Sequence, residues 1–263
     1  MTELQLIGLG TWSPKHGSWE EFCTGTQADD WPNEVKLQPG LIPPRERRRA
    51  PQLVKMAIEV MDQACKMAAV EPDEIAVIFS SAMGDMQITD YICSALAQTP
   101  KLISPIKFHN SVHNAAPGYW SITTGAFCPA SAVSAFEYTP TMAFLEACIQ
   151  AEEEQTPVLC VIQELAAPHT IMDICPSEVP FSAAFLLAPA NFFASPIASI
   201  EFDVGQGSVE WPAIDDRLLE FAGNMSARLL PLMTALASGV DTNLRFPITE
   251  DMSLGVRLNP CTT

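Results

Sequence analysis

Uninterrupted apolar runs alternate with segments of helical periodicity along this chain. The runs at 4–9, 75–79, 158–163 and 181–187 predict buried strands. Further strands are predicted at 130–135, 197–204 and 252–258. Apolar residues at three- and four-residue spacing predict helices at 51–68, 88–98, 111–124, 141–153 and 217–238. The alternation predicts an α/β fold with a mixed sheet flanked by helices, while residues 11–50, rich in Trp, Pro and Gly, predict a long ordered loop.

One uncharged stretch, 181–200, is long enough to cross a bilayer. It contains Pro189, Asn191 and Pro196, which favour a buried strand, a turn and the approach to another strand. The rest of the chain shows no repeat and no linker, so a single domain over 1–263 is expected. The character of the sequence changes slightly in the tail at 191–263.

The charge balance excludes some classes of partner. The chain has 263 residues with 14 Lys and Arg against 31 Asp and Glu, a formal net charge of −17. Nucleic-acid binding needs a basic face, and anionic membrane surfaces repel such a chain, so neither partner is expected. Apolar residues make up 48% and charged residues 17%, which is typical of a packed globular protein.

Eight cysteines are spread along the chain, with no two closer than twelve positions. A zinc or iron–sulfur site is therefore not expected, and no cofactor is predicted. The N-terminal stretch lacks a basic segment followed by an apolar core, so secretion is not indicated. Reduced, mostly buried thiols in a cytoplasmic protein are the simplest interpretation.

Two short motifs have a structural and a functional interpretation. Gly8 and Gly10 follow a strand as in a dinucleotide fingerprint, but the third glycine and the helix are missing, which favours a strand-ending turn. Arg45, Arg47, Arg48 and Arg49 form a cationic cluster. It either forms internal salt bridges with the many carboxylates or binds a phosphate or an acidic partner.

The most specific pattern covers residues 103–137, ISPIKFHNSVHNAAPGYWSITTGAFCPASAVSAFE. It resembles the β-ketoacyl synthases of the thiolase fold, which carry ISP, then N-x-A-G-x-x-(S/A)-I-x-x-G, then G-P-S-x-x-V-S-x-A-C. Residues 80–86, 159–164 and 181–187 match their flanking motifs. More narrowly, the chain is similar to short ketosynthase-like proteins that accompany active ketosynthases as chain-length factors, notably in bacterial aryl polyene clusters. The resemblance implies that this chain has the fold of the N-terminal half of a ketosynthase.

Two departures from this pattern bear on catalysis. Glu137 occupies the position of the nucleophilic cysteine, and a carboxylate there forms no stable thioester. No histidine follows His169, whereas the family's catalytic histidines lie in a C-terminal half for which this chain is too short. The resemblance therefore implies a catalytically inactive subunit. Glu137 either points into a polar gap or caps the next helix, and the adjacent Thr139-Pro140 favours capping.

The resemblance also implies that this chain forms a heterodimer with a full-length ketosynthase and shapes the acyl tunnel of that partner. The pathway implied is polyene or fatty-acid-like biosynthesis of the type II polyketide class. In the family, the strand before the nucleophile pairs antiparallel with its counterpart across a two-fold axis; here it comprises Ala130, Ser131, Ala132, Val133, Ser134 and Ala135. Side chains at the tunnel would be Met83, Met86, Tyr91, Ile106, Lys107 and Phe108. Ordinary core packing is the alternative for Met83 and Tyr91.

An acyl carrier protein would meet this acidic chain mainly through the catalytic partner, helped by the arginine cluster. Two other functions stay open. One is an independent hydrolase or acyltransferase on a truncated thiolase scaffold, using Glu137 and His113. The other is a homodimeric scaffold protein.

Overall fold

The structure is a computed structural model that describes residues 2–28, 35–98 and 102–261. Its strands are β1 (Thr2–Trp12), β2 (Ala76–Ser80), β3 (Ala130–Val133), β4 (Val158–Glu164), β5 (Phe181–Pro189), β6 (Ala198–Gln206), β7 (Thr242–Pro247) and β8 (Met252–Pro260). Its helices are α1 (Trp19–Ala28), α2 (Pro44–Arg47), α3 (Gln52–Ala68), α4 (Met86–Gln98), α5 (Pro105–His109), α6 (Ala115–Thr124), α7 (Thr139–Glu154) and α8 (Leu230–Ser238).

All eight strands form one mixed sheet in the order β3-β2-β4-β5-β1-β6-β8-β7. β2 pairs in parallel with β3 and β4, and the other neighbours pair antiparallel. The strands that follow residue 190 continue this sheet, because β6 pairs with β1 and β8 pairs with β6. The predicted mixed sheet flanked by helices is confirmed.

Helices cover both faces of the sheet and form two apolar cores. The central strands contribute to both, since Val158, Cys160 and Ile162 of β4 lie in one core while Leu159 and Val161 lie in the other. The first core contains apolar residues of α7 and α8, and the second contains those of α3 and α6. Burial on both faces explains why these strands are uninterrupted apolar runs.

Gly8 and Gly10 lie where α3 packs directly on β1. A Cβ atom on Gly10 would lie 2.0 Å from the carbonyl oxygen of Val60, and one on Gly8 would lie 2.2 Å from that of Ala64. The glycines therefore permit close contact between helix and strand. This structural role replaces the nucleotide-binding interpretation, although the predicted strand-ending turn is also wrong because β1 continues to Trp12.

Three sequence-based predictions of elements are wrong in part. The supposed loop at 11–50 contains α1 and α2, and its residues 29–34 lie outside the described part of the chain. The supposed helix at 217–238 comprises two 3-10 turns, Asp216–Phe221 and Met225–Leu229, followed by α8. The helix expected from 111 begins at Ala115.

Candidate functional site

Strand β3 forms an edge of the sheet, and among the described strands only β2 pairs with it. Ala130, Ser131 and Ala132 are exposed. The backbone N–H of Val77 donates to the carbonyl of Pro129 at 3.0 Å. Because alternate residues of a parallel strand bond the same neighbour, the N–H and C=O groups of Ala130 and Ala132 point away from β2. β3 therefore presents backbone groups that another strand could pair with.

A long stretch of chain leading to and just past β3 is rich in exposed apolar side chains. Of the sixteen large hydrophobic residues that are exposed in the described part of the chain, eight lie between positions 96 and 136. They are Leu96, Leu102, Ile106, Phe108, Val112, Ile122, Phe127 and Phe136. We call these eight side chains the apolar segment. Half of the exposed large apolar side chains in the described part of the chain therefore lie in this one stretch of sequence.

Helix α5 carries three of the predicted tunnel residues, and every one of its residues is exposed. Among these residues, Ile106 and Phe108 are large apolar residues that are exposed to solvent. The ammonium group of Lys107 lies 3.7 Å from the centre of the Tyr91 ring, a cation–π contact. The Tyr91 hydroxyl donates to the carbonyl of Leu102 at 3.3 Å and accepts from the N–H of Ser104 at 3.2 Å. Tyr91 and Lys107 thus fix α5 to α4.

The other two predicted tunnel residues occupy different environments. Met86 is buried and packs in the second core, which matches ordinary core packing. Met83 is half-buried and lies in the turn after β2. The carboxylate of Glu164 holds this turn, accepting from the Ser81 hydroxyl at 3.0 Å, the Ala82 N–H at 2.7 Å and the Met83 N–H at 3.4 Å.

Glu164 is buried at the end of β4 without a cation beside its carboxyl among its described contacts. Burial raises its pKa to about 7, and its hydrogen bonds offset only part of this effect. The role of Glu164 in holding the turn was not predicted from the sequence. The available signal was an acidic residue two positions after the apolar run 158–162.

The raised pKa of Glu164 predicts a distinct pH dependence of stability. Folding strengthens proton binding at this carboxyl, so its contribution to the free energy of unfolding increases as pH falls through 7 towards its ordinary value of 4.5. In urea unfolding, the stability of the wild type relative to Glu164→Gln should rise by about 2–3 kcal/mol between pH 8 and pH 5.

The comparison with Glu164→Gln is needed because a second buried group acts in the opposite direction. Burial lowers the pKa of His16 to about 3, so its contribution to stability is lost as pH falls below 6.5. Both proteins share His16, and its effect cancels in the difference. Identical pH profiles for the two proteins would show that Glu164 is not the group that titrates near pH 7.

Glu137 lies half-buried in a 3-10 turn, and the prediction that it caps the next helix is wrong. The capping position of α7 belongs to Tyr138. Among the described residues, no hydrogen bond joins Glu137 to a helical N–H or to His113, whose Nε2 lies 3.3 Å from the carbonyl of Val133. A carboxylate and histidine arranged for hydrolysis are therefore not observed in this part of the chain.

The cysteine nearest to β3 along the chain makes a hydrogen bond with the backbone. Cys128 lies just before β3 and its Sγ donates to the carbonyl of Asp73 at 3.4 Å. Burial raises the pKa of Cys65, Cys148 and Cys160, which keeps these core thiols protonated at neutral pH.

The internal salt bridging suggested for the arginine cluster is not seen between described residues. Within the described ranges, none of its four guanidinium groups forms an ion pair with a carboxylate. Arg47 instead donates to the carbonyl of Ile42 at 2.9 and 3.2 Å, so this arginine is structural. Arg45, Arg48 and Arg49 are exposed.

A cavity of about 470 Å³ lies between α2, α5 and α6. Val112 and Ile122 of the apolar segment line it together with Glu46 and Tyr119. The buried side-chain oxygen of Asn110 in its wall has no hydrogen-bond partner. Two side chains of the apolar segment, Val112 and Ile122, thus line a cavity.

Residues 2–28, 35–98 and 102–261 contain neither a helix long and apolar enough to cross a membrane nor a cluster of metal-ligating side chains. The buried strand, turn and approach to another strand predicted for 181–200 are confirmed as β5, a turn and the start of β6.

Comparison with known protein families shows which family the chain belongs to. Residues 19–208 match the family described as "Beta-ketoacyl synthase, N-terminal domain", and the chain belongs to this family. No curated protein matches the chain in sequence.

Solved structures show the same fold at low sequence identity. A chain of the ketosynthase ApeO in complex with its chain length factor ApeC, from Xenorhabdus doucetiae, is 18% identical with a TM-score of 0.69, covering 98% of this chain and 99% of that one. A chain of the ishigamide ketosynthase/chain length factor is 14% identical with a TM-score of 0.72 and complete coverage of both. A chain of the AntDE:AntF complex is 11% identical with a TM-score of 0.76, covering 99% and 100%. The fold is thus the thiolase-like ketosynthase fold.

Proposed function

We propose that this protein is a non-catalytic chain-length factor that forms a heterodimer with a full-length ketosynthase and shapes its acyl tunnel. The observation that carries the proposal is the unpaired edge of β3, which is preceded in the chain by most of the apolar segment. Solved structures of the same fold include complexes of a ketosynthase with a chain length factor.

The proposed interface is centred on β3. Its exposed residues Ala130, Ser131 and Ala132 are small, which allows a second strand to approach closely. Pairing would satisfy the backbone groups that point away from β2. Ser134 and Ala135 lie beyond the end of β3, and we place them at the margin of this interface.

The proposed contribution to the tunnel comes from α5. Its exposed side chains Ile106 and Phe108 are positioned by the contact between Lys107 and Tyr91, so they can reach into a partner. Met83 would contribute from the turn held by Glu164. Met86 lies behind this turn in the chain's own core and would support it rather than touch the acyl chain.

The proposal that the chain is inactive rests on Glu137. A ketosynthase step begins with attack of a thiolate on the acyl thioester, and a carboxylate at this position cannot form a stable thioester in its place. The subunit would then act through shape alone, because packed side chains at the end of a tunnel resist further extension of the chain.

Carrier-protein binding would take place mainly on the catalytic partner. The net charge of −17 repels acidic carrier proteins at long range. Arg45, Arg48 and Arg49 are exposed, so they could contact an acidic carrier at the edge of the complex, whereas Arg47 is held by backbone carbonyls.

The proposal predicts that Phe108→Ala lengthens the product of the complex. Removing an exposed phenyl ring at the tunnel would free space for about one or two more two-carbon units. The measurement is mass spectrometry of the acyl chains made by the purified complex with malonyl carrier protein. Phe192→Ala is a matched control, because Phe192 is also an exposed phenylalanine but lies in the turn between β5 and β6.

An unchanged product length with Phe108→Ala, in a complex that still forms, would remove Phe108 from the tunnel. Turnover of thioesters by the chain alone, abolished by Glu137→Gln, would favour an independent enzyme instead. A stable homodimer that does not bind the ketosynthase would favour a scaffold protein.

A further inference from the structure

Phe136, three residues beyond the end of β3, has an unusual backbone conformation. Its φ is +50°, in the left-handed region that bulky residues rarely adopt. The other non-glycine residues of the described chain with positive φ have ordinary explanations. Ala69 and Gln155 follow the ends of α3 and α7, where this conformation is common, and Asn191 lies in a turn.

Hydrogen bonds on both sides hold Phe136 in this conformation. The Thr139 hydroxyl donates to the carbonyl of Phe136 at 2.7 Å and accepts from the N–H of Ala135 at 2.8 Å. The Ser134 hydroxyl donates to the carbonyl of Ala82 at 2.9 Å, which ties the turn to the end of β2. The surrounding structure thus imposes a backbone conformation that costs free energy.

Burial of the Phe136 side chain within this subunit does little to offset the strain, since the residue is 48% exposed. A strained backbone and an exposed aromatic ring are both unfavourable in the isolated subunit. A strained backbone and an exposed ring beside the unpaired edge of β3 are explained if a partner that pairs with this edge also buries the ring. Buried aromatic side chains commonly provide most of the binding energy in protein interfaces.

We propose that Phe136 is an anchor residue that inserts into an apolar pocket of the partner ketosynthase. This inference rests on the function proposed above. The ring is half exposed only three residues beyond the end of β3, so a strand that pairs with β3 would bring the partner's surface close to it. The partner must therefore offer a pocket the size of a phenyl ring beside the strand that pairs with β3.

Two substitutions separate anchoring from strain. Phe136→Ala removes the ring but keeps a strained residue, whereas Phe136→Gly removes both the ring and the strain. Both variants should bind the ketosynthase at least about 30-fold more weakly than the wild type, as expected for an anchor. In isolation, the glycine variant should unfold about 2–4 °C above the alanine variant.

The experiment is an affinity titration of the purified chain with the full-length ketosynthase of the same organism, together with thermal unfolding. Phe192→Ala serves as the control, because 49% of Phe192 is exposed and it lies far along the chain from β3. Weak binding by both Phe136 variants with normal binding by Phe192→Ala is the expected result.

Different failures have different meanings. A wild-type complex with Phe136→Ala binding within threefold of it would overturn the anchor and leave the chain-length-factor proposal intact. The absence of any wild-type complex would overturn both proposals. A glycine variant that unfolds no higher than the alanine variant would show that the turn is not strained.

Discussion

Ala132→Pro is expected to abolish the complex with the ketosynthase while leaving the fold of this subunit intact. Residues 129, 131 and 133 carry the hydrogen bonds to β2, so a proline at 132 removes only an N–H that points away from the sheet. Edge strands tolerate proline for this reason. The lost N–H and the added ring would prevent a second strand from pairing, and the affinity should fall at least about 100-fold.

The measurement is a binding titration with the ketosynthase, accompanied by the unfolding midpoint of the isolated variant. Ala132→Ser is the matched control, because it alters the same position but keeps the N–H, and it should bind nearly as well as the wild type. Normal binding by Ala132→Pro would show that β3 is not the pairing edge.

Gly10→Ala is expected to cause a large loss of stability. The new Cβ would lie 2.0 Å from the carbonyl oxygen of Val60 and 2.9 Å from Cβ of Gln63, so α3 must move away from β1. This contact lies between the second core and the middle of the sheet. Overpacking against backbone should cost about 3 kcal/mol or more in the free energy of unfolding, measured by urea denaturation.

Gly40→Ala provides the control for Gly10→Ala. A Cβ on Gly40 would meet no atom within 4 Å, and its φ is not in the left-handed region. It should leave the free energy of unfolding within about 0.5 kcal/mol of the wild type. Equal stability of the two variants would contradict the direct packing of α3 on β1.

The central strands could be predicted from sequence because they are buried on both faces. β2, β4 and β5 are continuous apolar runs, and the alternation of such strands with helices along the chain indicated a mixed sheet. β7 was missed although Asn243, Leu244, Arg245 and Phe246 alternate polar and apolar, as in a half-buried strand, because the alternation lasts only four residues before Pro247. The apolar pattern at 217–238 is interrupted at Gly223 and Asn224, where two 3-10 turns meet.

The residues of the candidate site could be predicted from the sequence only where they match a position in the ketosynthase-like motif. The ketosynthase-like pattern indicated the edge strand and placed Glu137 at the nucleophile position, and it pointed to the exposed residues of α5. It could not indicate that Arg47 binds the carbonyl of Ile42, five positions away, because the motif does not include this loop. It also could not indicate that Glu164 holds the turn after β2, since that depends on a contact between distant segments. The left-handed conformation of Phe136 opposes the local preference of a bulky residue, so no local rule predicts it.

The most direct test of the account is co-expression of this chain with the full-length ketosynthase of the same organism, followed by size-exclusion chromatography with light scattering. A chain-length factor with an unpaired edge at β3 should elute as a one-to-one complex with the ketosynthase. A stable homodimer of this chain that elutes separately from the ketosynthase would contradict the account.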